Sequence, residues 1–212
     1  MEPRTLDHVA LWVADRDGIA EVATTQLGMH VIERTDAFTL VGADARRGKL
    51  TLFAADGPRE RGPLLRIGFR VSALDGRPSH VELGEGLEAV LVEAPTDVDY
   101  DLDHVALATA HPAATARAWE SYGLRRVDET RLEVGGAYVE LVPGEPGEPE
   151  RPLLNHLAVL VDSVEQHVSE AEELGLEIAD VVDAPNTLAL FVWGPDRVKL
   201  EYVEHKPSFS LT

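Results

Sequence analysis

The chain opens on an alternation of side chains. Across residues 6–13, His8, Ala10 and Trp12 fall on one side, and Val9, Leu11 and Val13 on the other. That period of two predicts a strand. Asp7-His8-Val9-Ala10-Leu11 returns letter for letter at Asp103 to Leu107, and closely at Asn155-His156-Leu157-Ala158-Val159. A helix-like segment follows each copy and ends at Gly28, Gly123 or Gly175, where glycine provides the left-handed stop. Asp15 or Asp17 is placed to cap the first helix. Ser163 with Gln166 forms a capping box for the last. After the first helix come three strand candidates, 29–34, 37–42 and 49–54, so the order is βαβββ.

The same order recurs along the chain, and a repeat of this length decides the fold. A third module reads as strand 102–109, a helix from Pro112 to about Tyr122, and strands near 124–128, 130–134 and 137–142. A fourth reads as strand 153–161, the Ser163 helix, and strands at about 176–182, 187–193 and 197–203. Residues 64–71 resemble the opening of the fourth module, with Arg66 where His156 stands. A short helix is expected from Pro78 to Gly84, then a strand at 87–93, which makes this a degenerate second copy. The fold class is therefore α+β, with four tandem βαβββ modules. The acidic run 96–101 marks the expected domain boundary, dividing a 1–97 module pair from a 98–212 pair. The Gly- and Pro-containing stretches 55–62 and 143–152 read as a closing loop and a linker.

Composition narrows the chemistry. In 212 residues the formal net charge is -19 and there is no cysteine. The charge argues against nucleic acid and anionic membranes as partners. The missing thiols exclude disulfides, thiolate metal sites and cysteine nucleophiles. There is no long apolar run and no basic-then-apolar start, so a cytoplasmic protein is expected.

Candidate ligands come from the repeat. His104 and His156 occupy equivalent points of equivalent strands. Glu201 lies between Leu200 and Tyr202, and a carboxylate on an apolar strand needs a partner, which a divalent metal would supply. Glu140 holds the same place in module three. Two imidazoles and one carboxylate make the facial triad of non-haem iron(II). A second carboxylate would suit Zn, Ni, Co or Mn, with a glutamate free to move protons. Ala106, Ala108 and Ala158 share the faces of the two histidines and leave room for an ion and its ligand. Glu140 could instead pair with Arg125, Arg126 or Arg131. His8 alone reads as a hydrogen-bonded strand residue, because Thr51 stands where its carboxylate partner would be. With Arg66 in place of the module-two histidine, the N-terminal pair is expected to keep the fold without a metal. His30, His80, His111, His167 and His205 read as solvated, His205 lying nearest the site.

The Asp-His-Val-Ala-Leu strands and the closing run from Phe191 to Glu201 resemble the vicinal oxygen chelate superfamily. That group includes glyoxalase I, bleomycin and fosfomycin resistance proteins, methylmalonyl-CoA epimerase and type I extradiol dioxygenases. The resemblance implies that modules pair into two cupped mixed sheets, with a metal inside a cup held from first and last strands. It places the site in the C-terminal pair: His104, His156 and Glu201 as ligands, Glu140 as the catalytic acid or base. The four-module layout is similar to that of the dioxygenases, which implies Fe(II) first, then Mn, Ni or Zn. A small molecule chelating through vicinal oxygens is the implied substrate, and a homodimer is compatible with the resemblance. The dioxygenase closing signature is incomplete: Phe191 stands at the Tyr position, Gly194 at the acidic one, Arg197 at the Gly one. Helper histidines are absent at 182–184 and at 141–142, leaving Glu140, Asp183 or Lys199 as substitutes. The order His104, Glu140, His156, Glu201 resembles instead a glyoxalase-type isomerase or lyase. A non-catalytic, bleomycin-resistance-like binder is the third reading, with Trp12, Trp119 and Trp193 as stacking walls.

Overall fold

The computed structural model describes every residue from Met1 to Thr212. Module one comprises β1 (Thr5–Val13), α1 (Arg16–Val22), β2 (His30–Arg34), β3 (Phe38–Gly42) and β4 (Lys49–Ala54). Module two comprises β5 (Leu64–Val71), β6 (His80–Gly84) and β7 (Leu87–Glu93). Module three comprises β8 (Asp101–Thr109), α2 (Pro112–Trp119), β9 (Arg125–Arg126), β10 (Arg131–Val134) and β11 (Ala137–Pro143). Module four comprises β12 (Leu154–Leu160), α3 (Val164–Leu174), β13 (Glu177–Asp183), β14 (Thr187–Trp193) and β15 (Lys199–His205). The expected α+β repeat is present. The caps follow from the residues: the side chains of Asp15 and Ser163 accept from the backbone of Gly18 and Gln166, and Gly175 is left-handed. The helix expected from Pro78 to Gly84 is instead strand β6, in which Val81 and Leu83 are buried and His80 and Glu82 exposed. That is a period of two, and it outweighs the helix-start signal of Pro78. No helix is long and apolar enough to cross a membrane.

The modules do not pair as sequence order suggested. One sheet runs β13-β14-β15-β12-β1-β4-β3-β2 and joins module four to module one. The other runs β6-β7-β5-β8-β11-β10-β9 and joins module two to module three. At the centre of each sheet two opening strands lie antiparallel, β1 against β12 and β5 against β8. The expected division into 1–97 and 98–212 therefore cuts across both sheets. The acidic run at 96–101 only links β7 to β8 inside one sheet. The crossings between sheets are the two Gly- and Pro-containing stretches, which run side by side: Leu153 N–H donates to Glu60 O at 2.7 Å. Gly62 (φ 63°) lies so close to Pro152 that a Cβ would sit 2.7 Å from the ring. The opening strands are too alike for their pattern alone to choose partners.

Alternation separates two faces of each strand. In the first sheet Val9, Leu11, Leu50, Leu52, Leu157, Val159, Leu200 and Tyr202 enter the apolar core. The core is continuous with Ile67, Phe69, Val105 and Leu107 of the second sheet and with Ile19, Ala116, Trp119 and Ala171 of the helices. The opposite faces carry the polar residues considered next.

Candidate metal centre

On the first sheet, His8, His156 and Glu201 converge. Nε2 of His156 lies 2.9 Å from Glu201 Oε2, Nε2 of His8 lies 3.1 Å from it, and the two Nε2 atoms are 3.2 Å apart. All three side chains are nearly enclosed. The sheet register makes the meeting possible: Ala10 is opposite His156, His8 is opposite Ala158, and Ala158 is beside Glu201. Small alanines therefore flank both imidazoles.

Each imidazole is fixed from behind by the residue before it. Asp7 Oδ1 is 2.7 Å from His8 Nδ1, and Asn155 Oδ1 is 3.1 Å from His156 Nδ1. A proton held on Nδ1 leaves the Nε2 lone pair free for a metal. Asp7 is itself held by Lys49 Nζ at 2.8 Å, and Lys49 also donates to Ala45 O at 2.7 Å. The other Asp7 oxygen is buried without a hydrogen bond, with His205 Nε2 3.0 Å away.

The charges respond accordingly. Burial works against the His8 imidazolium, but Glu201 and Asp7 outweigh it and raise its pKa to about 9. Burial lowers His156 despite the pull of Glu201. Burial also raises Glu201, yet His156 and His8 outweigh it and bring the carboxyl down to about 2. Two imidazole nitrogens and a carboxylate oxygen suit a borderline divalent ion. Donors about 2.1 Å from one octahedral ion are about 3 Å apart when adjacent, and the observed edges match that spacing. The donor set therefore fits a divalent metal.

A cavity of about 530 Å³ opens onto the cluster. Its walls include Phe38, Phe53, Phe191 and Phe209, with Thr51 beside the cluster. Thr51 is paired with Ala10 as Glu201 is with Ala158, so it holds the place of a second carboxylate. A second cavity, of about 720 Å³, lies between the linker and one end of this sheet, where Trp12 and Trp193 line it. Trp119 is a core residue.

The structure separates the residues expected together. His156 and Glu201 meet as foreseen, but His104 lies on the second sheet, and His8 takes its place. His104 Nδ1 is 2.8 Å from Asp103 Oδ2, and its ring stacks on Tyr138. Arg66 Nε donates to His104 Nε2 at 3.3 Å, and Arg66 Nη2 donates to Glu140. Glu140, expected at the metal as acid or base, is thus the ion-pair partner of Arg66, on the other sheet from His156 and Glu201. The pairing expected with Arg125, Arg126 or Arg131 is not made. Of the histidines read as solvated, His30, His80 and His111 are exposed, whereas His167 is buried and holds Ser163 O. His205 is enclosed beside Asp7. The signal that could have found His8 was Asp7-His8 itself, identical to Asp103-His104, together with Arg66, which leaves whichever sheet holds module two one imidazole short of the triad.

Comparison with solved structures places this architecture. A "putative dioxygenase" from Bacillus subtilis superposes with a TM-score of 0.74 at 16% identity, covering 98% of this chain and 87% of that one. Glyoxalase I from Zea mays gives 0.70 at 16% identity, with 94% and 92% covered. The cppA protein from Streptococcus pneumoniae gives 0.64 at 14%, with 95% and 98% covered. No family model and no curated protein matches the sequence.

Proposed function

Starting from the fold of the vicinal oxygen chelate superfamily, which this chain shares, we propose that it is a divalent-metal enzyme that cleaves a catechol ring with O2. Fe(II) is the metal of this reading, held by His8, His156 and Glu201, and the substrate is a small molecule that chelates through two neighbouring oxygens. The observation that carries the reading is the ligand count. This site has two imidazoles and one carboxylate, and Thr51 stands where a second carboxylate would be. Such a triad leaves coordination positions for two substrate oxygens and for O2. A glyoxalase-type reaction needs a second glutamate as ligand and proton carrier, and the only residue at that position is a threonine.

The bound ion would supply the electron route between substrate and O2 and lower the pKa of the coordinated hydroxyls. The remaining roles belong to the chain. Asp7 and Asn155 orient the two imidazoles. Lys49 holds Asp7 in place, and the phenylalanines exclude water and flank a planar ring. The test is O2 uptake by protein loaded anaerobically with Fe(II), then mixed with catechols, with the ring-opened product followed by its absorbance. The reading predicts one O2 consumed per product formed. Absence of uptake with every catechol, by protein shown to hold iron, would refute it.

A further inference from the structure

The cavity at the cluster also restricts what a substrate can carry away from its chelating oxygens. Its ionisable wall groups are Asp7, His8, Glu33, Lys49, His156, Glu201 and His205. His8, His156 and Glu201 belong to the cluster. That leaves two basic groups, Lys49 and His205, and both face the same acid: Lys49 Nζ is 2.8 Å from Asp7 Oδ1, and His205 Nε2 is 3.0 Å from Asp7 Oδ2. Lys49 directs a further N–H to Ala45 O, and the His205 ring is stacked on Phe209. No cation on the wall is left over for an anionic ligand. The one remaining charge, Glu33, is negative, and the whole chain carries -19. Most of the rest of the surface is apolar, with Phe38, Leu40, Phe53, Phe191, Phe209 and Leu211 around the space.

We infer that the substrate is a catechol bearing an uncharged apolar substituent, and that carboxylated catechols are excluded. The inference rests on the ring-cleavage reading and names its substrate class. A carboxylate seated on this wall would lose water without gaining a cationic partner, and Glu33 would repel it. An alkyl or aryl group gains from burial against the phenylalanines. The selectivity thus comes from Asp7, which pairs with Lys49 and faces His205 on the same wall, as much as from the apolar side chains.

The experiment is calorimetric binding under anaerobic conditions with two matched pairs of probes. The first pair, 4-ethylcatechol and 3,4-dihydroxybenzoate, is measured with Fe(II)-loaded protein. The second, 4-ethylphenol and 4-hydroxybenzoate, lacks the second oxygen and is measured without metal. The ethyl member should bind roughly 100-fold tighter than the carboxylate in each pair. Asp7→Asn, which frees Lys49 and His205, should cut that ratio at least tenfold. Leu211→Arg, which puts a cation on the cavity wall without touching the cluster, should do the same if Asp7→Asn does not fold. Equal or tighter binding of the carboxylates by the wild type would overturn the inference, as would a ratio unmoved in folded variants. Ring cleavage that fails while the phenol pair keeps its preference would remove the reaction and leave the apolar cavity standing.

Discussion

The two sheets repeat one arrangement with a different third contributor. Each joins two opening strands antiparallel, and each puts an imidazole and a glutamate at matching register positions: His156 and Glu201 in one, His104 and Glu140 in the other. Each histidine on a Asp-His pair is held at Nδ1 by the preceding aspartate, His8 by Asp7 and His104 by Asp103. The third contributor differs. The first sheet offers His8, whose lone pair joins the other donors; the second offers Arg66, whose N–H groups point at them. A guanidinium is always charged and cannot ligate. The second site therefore carries its cation covalently, and the first is left with a charge balance that only protons or a bound metal can provide. Glu201 and Asp7 accordingly raise the His8 pKa to about 9 against the effect of burial.

Restoring the histidine is the largest change this comparison predicts. Arg66→His should raise bound Zn or Fe(II) from one ion per chain to two, by elemental analysis after dialysis. Unchanged stoichiometry in a folded variant would show that the second site lacks more than one ligand.

Next come the cations behind the aspartates. Lys49 and Asp7 are 5% and 1% exposed, so Lys49→Met leaves a buried carboxylate short of its partner. It should cost about 3–5 kcal/mol in denaturant unfolding. Arg70, which holds Asp103 from a more open position, should cost about 1 kcal/mol or less when changed to Met. Equal losses would mean that burial does not distinguish the two supports.

Gly68 is opposite His104, and a Cβ there would come within 2.3 Å of the imidazole. Gly68→Ala should destabilise the protein by roughly 1–3 kcal/mol, leaving the metal content of the first site unchanged. Calorimetric unfolding with parallel metal analysis checks both halves.

The smallest effect is a pH dependence. Burial raises the Asp103 carboxyl, but His104 and Arg70 outweigh it and hold it below its usual value. A carboxyl lowered in the folded state contributes stability above its unfolded pKa, and that contribution disappears as pH falls through the folded value. Asp103→Asn should therefore lower Tm most at neutral pH, with the gap to wild type closing on acidification below the ordinary carboxylate range. A gap that is constant with pH would assign the loss to packing instead.

The repeat made most of this fold readable. Period-two alternation located the strands, and Asp15, Ser163 and Gly175 marked helix ends. His156 stood out as the counterpart of His104 on an equivalent strand, and Glu201 as a carboxylate on an otherwise apolar strand. What could not be read was which opening strand lies beside which. β1, β8 and β12 present almost the same alternation, so the pattern is satisfied by any pairing, and the choice falls to local fits such as Gly68 under His104. Pairing module four with module three put His104 into the expected site in place of His8, and Glu140 with it, although both lie on the other sheet. The acidic stretch 96–101 misled for a related reason: charge marks exposure, and an exposed connection can lie within a sheet as well as between two.

A metal held across β1 and β12 would depend on His8 and not on His104. Metal content of His8→Ala and His104→Ala, prepared side by side with the wild type, tests it most directly. His8→Ala should lose the ion and His104→Ala should retain it. Retention in the first with loss in the second would contradict it.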